Sequence, residues 1–129
     1  MESSLKLEIL RLLLEAGEEN LPTILNTVLV QHSSEPPDVL LASVGEALEA
    51  IEKQSYTELA WYKDGWIALI PEERQLVLPL ANSVAWDPAT NQWRWKEEEL
   101  GPERPIVILT SKGEDYIRSV LREESASER

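Results

Sequence analysis

The side chains able to do chemistry are few, and their types alone narrow what the chain can do. One histidine, His32, and no cysteine stand in 129 residues. Disulfides and thiolate chemistry are therefore excluded. Neither a G-x-S-x-G elbow nor a phosphate-cradling glycine loop is present. His32 falls at the end of a helical segment, where a lone His is a helix-end or core residue before it is a base or a ligand. The acidic runs Glu72-Glu73 and Glu97-Glu98-Glu99 read as loop residues without a partner. A divalent-ion site would want Asp and Asn at alternating loop positions, and no such run appears. The sequence therefore reads as a non-enzyme, with no catalytic residue, no metal site and no cofactor implied.

Two other groups could carry function. Trp61, Trp66, Trp86, Trp93 and Trp95 are concentrated in one third of a chain that contains no Phe. Trp93 and Trp95 share one strand face by period two, with Arg94 opposite. One reading is that these rings replace Phe in packing hairpins onto helices. The other is that Trp66 and the group Trp86, Trp93 and Trp95 form an exposed protein-binding face, since Trp, Tyr and Arg dominate interface hot spots. Stacking on single-stranded bases would use similar rings, but in a positive groove. The second group is cationic. Lys63, Arg94 and Lys96 could meet a DNA backbone, although Asp64 and Glu97–Glu99 sit beside them.

Charge weighs on both groups. The net charge is −12, with acidity spread along the chain rather than confined to a tail. Such a field repels polyphosphates and anionic lipid and favours a partner with a basic surface. The amino-terminal segment is apolar, but Glu8, Arg11 and Glu15 interrupt it at helical spacing. It reads as neither a signal peptide nor a membrane span, and a cytoplasmic protein is expected.

The elements that must position these residues follow from periodicity. Leu5, Ile9, Leu12 and Leu13 make one apolar stripe over residues 4–16, with Ser3 or Ser4 as cap and Gly17 as terminator. A second helix is expected from Pro22 to about His32. SSEPP at 33–37 breaks the chain, and a third helix begins at Pro37 with Leu40, Leu41, Val44, Leu48 and Ile51 inward. Its outward set is Ser43, Glu46, Glu49, Ala50 and Lys53, with Glu49 and Lys53 spaced as an i,i+4 pair. Gly45 in its middle hints at close packing or a bend.

From Tyr56 the period changes to two. Asp64-Gly65 predicts a two-residue hairpin pairing Lys63 with Trp66 and Trp61 with Ala68. QLVLPLA at 75–81 reads as a strand that Pro79 would confine to an edge or bulge. SVAW and QWRWK form a second hairpin, and PIVIL at 105–109 a last strand. Ser111 and Glu114 form a capping box for a terminal helix with Tyr116, Ile117, Val120 and Leu121 inward.

This order, and two motifs within it, carry a resemblance. EALEAIEKQSYTELAWYKDG resembles the pattern in which a winged helix-turn-helix ends its recognition helix, turns through a small polar residue and an aromatic, and enters its wing. IVILTSKGEDYIRSVL is similar to the strand and helix that leave the wing in bacterial repressors of the multiple-antibiotic-resistance and phenolic-acid kinds, and its T-x-K-G junction is the most specific part. The 35-residue stretch from Pro71 to Pro105 exceeds a simple wing, and SSEPP is looser than the turn of a DNA-reading pair.

The resemblance implies an α+β, winged-helix-like chain. A three-helix core (1–55) would be followed by an elaborated antiparallel β wing with an extra hairpin (56–110), a terminal helix (111–124) and a frayed tail (125–129). The expected role is protein interaction, with a homodimer as one form of it. The alternative is a dimeric DNA-binding regulator using Lys63, Arg94 and Lys96. Affinity for duplex DNA rests on Lys and Arg neutralising phosphates, and the third helix offers two carboxylates against one Lys.

Overall fold

The computed structural model describes residues 4–62, 65–96 and 104–127. Helix α1 (Ser4–Ala16) ends at Gly17, which takes a φ of +86° and donates its N–H to Leu13 O at 2.8 Å. Ile9, Leu10 and Leu13 of α1 are fully buried, and Leu5 and Leu12 pack against them from partly buried positions.

A short strand, β1 (Glu18–Asn20), has no signal in the sequence. Three polar residues give no apolar period, and only their pairing with a distant strand makes them β. Asn20 then caps α2 (Leu21–Gln31) by accepting the Thr23 N–H at 2.9 Å, with Pro22 in the first turn where its missing N–H is harmless. Helix α3 (Pro37–Lys53) starts as expected and buries Leu40, Val44, Ala47, Leu48 and Ile51.

Strands β2 (Thr57–Tyr62) and β3 (Trp66–Ala68) form the expected hairpin, but in another register. Tyr62 pairs with Trp66 and Trp61 with Ile67, so three residues rather than two connect the strands. Because side chains alternate across a sheet, this one-residue slip sets Ile67 instead of Ala68 beside Trp61. Lys63 and Asp64 lie outside the described residues.

The expected strand at 75–81 is not a strand. Helix α4 (Pro71–Val77) occupies this stretch, followed by a 3-10 turn at Leu80–Asn82. Pro71 opens the helix, Glu72 and Glu73 lie in its first turn, and Glu73 reaches back to accept the Ile70 N–H at 3.0 Å. Those helix-start features outweigh the alternating apolar pattern of QLVLPLA. Val77, Leu78 and Leu80 join the core. The second hairpin, β4 (Val84–Asp87) and β5 (Gln92–Trp95), forms a separate two-stranded sheet instead of extending the first.

The other sheet is antiparallel in the order β1–β6–β2–β3, where β6 is Ile106–Leu109. Leu59 of β2 pairs with Val107 of β6 on the core-facing side. Helix α5 (Ser111–Ser127) follows. Its cap is Thr110, one residue before the expected Ser111: Thr110 Oγ1 accepts the Gly113 N–H at 3.0 Å and Thr110 O the Glu114 N–H at 2.8 Å. Glu114 instead pairs with Arg118 one turn on. Residues 125–127, expected to fray, are still helical. The terminal helix is tied to α1 through the Arg11–Glu124 ion pair, and Ile117 is fully buried. Each fully buried Leu, Ile or Val in this core contributes on the order of 1.5–3 kcal/mol.

Candidate protein-interaction surface

The five tryptophans have different surroundings. Trp93 is 5% exposed and meets Trp86 edge to face at 5.4 Å between ring centroids. Its backbone is held by one side chain: Asn26 of α2 accepts the Trp93 N–H at 2.7 Å and donates to Trp93 O at 3.0 Å. In effect Asn26 serves as a neighbouring strand and fastens the second hairpin to α2. A polar residue inside the apolar run ILNTVLV is the sequence signal for that bond. Trp95 is partly buried beneath the Arg104 guanidinium, 5.9 Å from its ring. Trp61 is buried and donates to Glu73 of α4 at 2.9 Å, which gives that acid a structural task. Trp86, Trp93 and Trp95 thus belong chiefly to packing.

Trp66 differs. It is 43% exposed in a strand whose three residues are all exposed, and Ile67 and Ile70 nearby are exposed by half. Three large apolar side chains are thus exposed within five residues, with Trp66 and Ile67 on opposite faces of the strand.

Two of the three cations fall among the described residues. Arg94 is exposed on β5, which packs against α2 rather than α3. Lys96 donates Nζ to Ala81 O at 2.6 Å. Lys63, and the Glu97–Glu99 run, lie outside the described residues.

Helix α3 carries Glu46, Glu49 and Lys53 exposed, as expected, but no Glu49–Lys53 ion pair forms among the described residues. Arg74 of α4 lies nearby and bonds to Glu52 (Nε to Oε1 2.6 Å). That hydrogen bond, together with the fields of Glu52 and Glu49, holds the Arg74 guanidinium above its ordinary pKa against the opposing effect of burial. Along one flank of α3, beside the 3-10 turn, runs an open groove of about 330 Å³ lined by Asp38, Leu41, Gly45, Glu46, Glu49 and Leu80 among others. A second groove of about 430 Å³, between the α3 face carrying Ser43 and Ala50 and the start of α1, includes Lys6 and His32. His32 is engaged there with Glu8 at 3.1 Å and closes the end of α2.

The exit from α3 is built differently. Ser55 takes a left-handed φ of +67°, and the Ser55 and Tyr56 N–H groups return to Glu52 O and Ile51 O at 2.9 Å each. This Schellman-type ending directs the chain into β2. Tyr56 O accepts the Thr110 N–H at 3.0 Å, and Thr110 Oγ1 donates to Ser55 O at 2.6 Å. A Cβ on Gly113 would lie 2.0 Å from Tyr56 O, so only glycine lets α5 start there. Tyr116 stacks on Tyr56 at 4.5 Å, with Lys112 Nζ 5.5 Å from the same ring. Every named residue of T-x-K-G thereby has a contact: Thr110 caps, Lys112 covers the ring and Gly113 admits the carbonyl.

Among the described residues, no group of three His, Asp or Glu is placed to hold a metal ion, and no helix is long and apolar enough to cross a membrane. Comparison with protein-family models, curated proteins and solved structures found no match.

Proposed function

We propose that this chain is a winged-helix-like protein-interaction domain that acts without catalysis of its own and does not read DNA. The observation that carries the reading is the exposure of large apolar side chains on β3 and just after it, with Trp66 43%, Ile67 50% and Ile70 54% exposed. Desolvating such side chains against a partner is the main source of interface affinity. Helix α3 presents Glu46 and Glu49 where a DNA-reading helix would need cations and amide donors. Two features support the winged-helix-like part. Strand β1 falls between the first two helices, and β6 returns between β1 and β2 after the helix-to-hairpin unit.

The test has two arms. Labelled mixed-sequence duplex DNA, titrated at low salt and followed by fluorescence anisotropy, is expected to show no binding. Binding that weakens steeply as salt rises would instead reveal phosphate contacts and overturn the reading. In the second arm, the parent and a Trp66→Ser, Ile67→Ser double variant are used as bait after circular dichroism has shown equal folding. A protein retained by the parent and lost by the variant is expected. Identical retained sets would remove Trp66 and Ile67 from the proposal.

A further inference from the structure

The groove between α3 and the 3-10 turn combines an apolar floor with acidic walls. Asp38, Leu41, Gly45 and Glu49 follow one another at intervals of three or four residues, which places them along one flank of α3, with Glu46 bordering it. The span from Asp38 to Glu49 is about 16 Å, or three helical turns. The floor is apolar and small-featured, formed by Leu41, Gly45 and Leu80, and every ionisable side chain lining it is an acid. Two cations near it are already engaged, Arg74 with Glu52 and Lys96 with the carbonyl of Ala81, while Lys53 lies one turn beyond Glu49 at the end of α3.

Gly45 is the independent observation. Glycine inside a helix is unfavourable, and elsewhere in this chain the reason for one is plain, because a Cβ on Gly113 would strike backbone. A Cβ on Gly45 would sit 3.8 Å from Leu80, an ordinary contact. Packing within the chain therefore does not require glycine at 45. What the missing side chain does is leave the floor of the groove open, the use of glycine where another backbone must approach closely.

We infer that this groove receives an amphipathic, basic helix of a partner protein. The inference rests on the protein-interaction reading and names both the site and the chemistry of its occupant. Three turns of helix fit the length, and the helix-in-groove mode reads a partner by apolar anchors at helical spacing. Asp38 and Glu46 stand eight residues apart, about 12 Å along the axis. A helix lying along α3 matches them with Lys or Arg seven or eight residues apart, and a small apolar side chain between these, nearer the one that meets Glu46, settles over Gly45 and Leu80. The charge of the whole chain favours such an encounter and disfavours an acidic competitor.

The probe is a phage-displayed library of random peptides about 15 residues long, long enough for four helical turns. It is selected on the intact chain, and the peptides recovered are assayed by anisotropy at low and high salt. The expected peptides carry Lys or Arg seven or eight residues apart with an apolar residue between, and bind about tenfold more weakly at high salt, where exposed charges are screened. Ala42→Arg, which places a bulky cation on an exposed position of the groove wall, and Glu46→Lys should each weaken binding at least about tenfold, a loss of 1.4 kcal/mol or more. Both positions are on the helix surface, and unchanged circular dichroism would show that both variants fold.

Amide shift mapping with the best peptide should centre on residues 38–49 and 79–81. Peptides that bind equally to Ala42→Arg and shift β3 instead would overturn the groove while leaving the protein-interaction reading intact. Acidic or uncharged selected peptides would overturn the stated chemistry of the occupant. A library that yields no binder would overturn the groove proposal, and the β3 bait experiment would then decide separately whether the broader reading falls with it.

Discussion

Two glycines on two helices divide the molecule into a seam built shut and a flank left open. At the seam, the end of α3 and the start of α5 approach until a methyl group on Gly113 would overlap Tyr56 O at 2.0 Å. At the flank, the same methyl on Gly45 would meet Leu80 at 3.8 Å. The first glycine answers to the fold, and internal packing does not demand the second. Glycine in a helix is therefore uninformative until its surroundings are known.

The largest test of the difference is Gly113→Ala. Relief requires the first turn of α5 to move off β2, taking the Tyr56–Tyr116 stack with it. The expected loss is about 3 kcal/mol, the upper end of overpacking costs, read as a fall in the urea midpoint at unchanged slope. A midpoint within error of the parent would mean that the seam is loose.

That seam is legible in the sequence as a motif, but not as a mechanism. T-x-K-G stands out by resemblance, yet local rules put the cap at Ser111, because Ser with Glu three residues later is the commoner signature. Thr110 displaces it because its hydroxyl also reaches back to Ser55 O, a partner 55 residues away that no local rule can see. The three amino-terminal helices are legible, since their apolar stripes and proline starts are local. Residues 71–82 mislead for the complementary reason. QLVLPLA alternates like a strand, and the overriding signal, Pro71 with two acids after it and Glu73 returning to Ile70, resembles a loop when read by composition.

The candidate surface is legible only in part. The tryptophans stand out as a group, but which are core depends on Asn26 and Glu73, each bonded across a span of chain that periodicity does not reach. The α3 groove is invisible in the sequence, because it needs the 3-10 turn that a strand at 75–81 would erase. Only its acidic outward face can be read directly.

Thr110→Ala probes the seam more gently. It removes one hydroxyl that caps α5 by accepting from Gly113 and holds the α3 exit by donating to Ser55. A loss of about 1–2 kcal/mol is expected, with Thr110→Ser recovering most of it, measured by the same denaturant curves. Equal effects of Ala and Ser would show that the threonine methyl, rather than the hydroxyl, matters.

Ser55→Gly should act with the opposite sign on the same seam. Ser55 holds a left-handed φ of +67° that a Cβ disfavours, and its contacts across the seam use its carbonyl, which glycine retains. Relief of that conformation outweighs the extra freedom of glycine in the unfolded chain by about 0.5–1 kcal/mol. Thermal unfolding should show a slightly raised midpoint. A lowered one would point to a role for the serine hydroxyl.

An effect no larger than that one is the most discriminating. Gly45→Ala makes the same chemical change as Gly113→Ala, and the two should differ in sign. At position 45 the helix gains alanine's propensity, about 0.5–1 kcal/mol, and the new methyl lands at contact distance from Leu80 without displacing it. Stability should rise while the floor of the groove becomes shallower, so a basic helical peptide that binds the parent should bind the variant less well. Stability and binding would then move in opposite directions on one methyl group, which is the signature of a residue kept for an approaching partner. If Gly45→Ala instead destabilises the chain, the 3-10 turn needs that space for itself. Gly45 would then belong with Gly113, and the contrast between seam and flank would disappear.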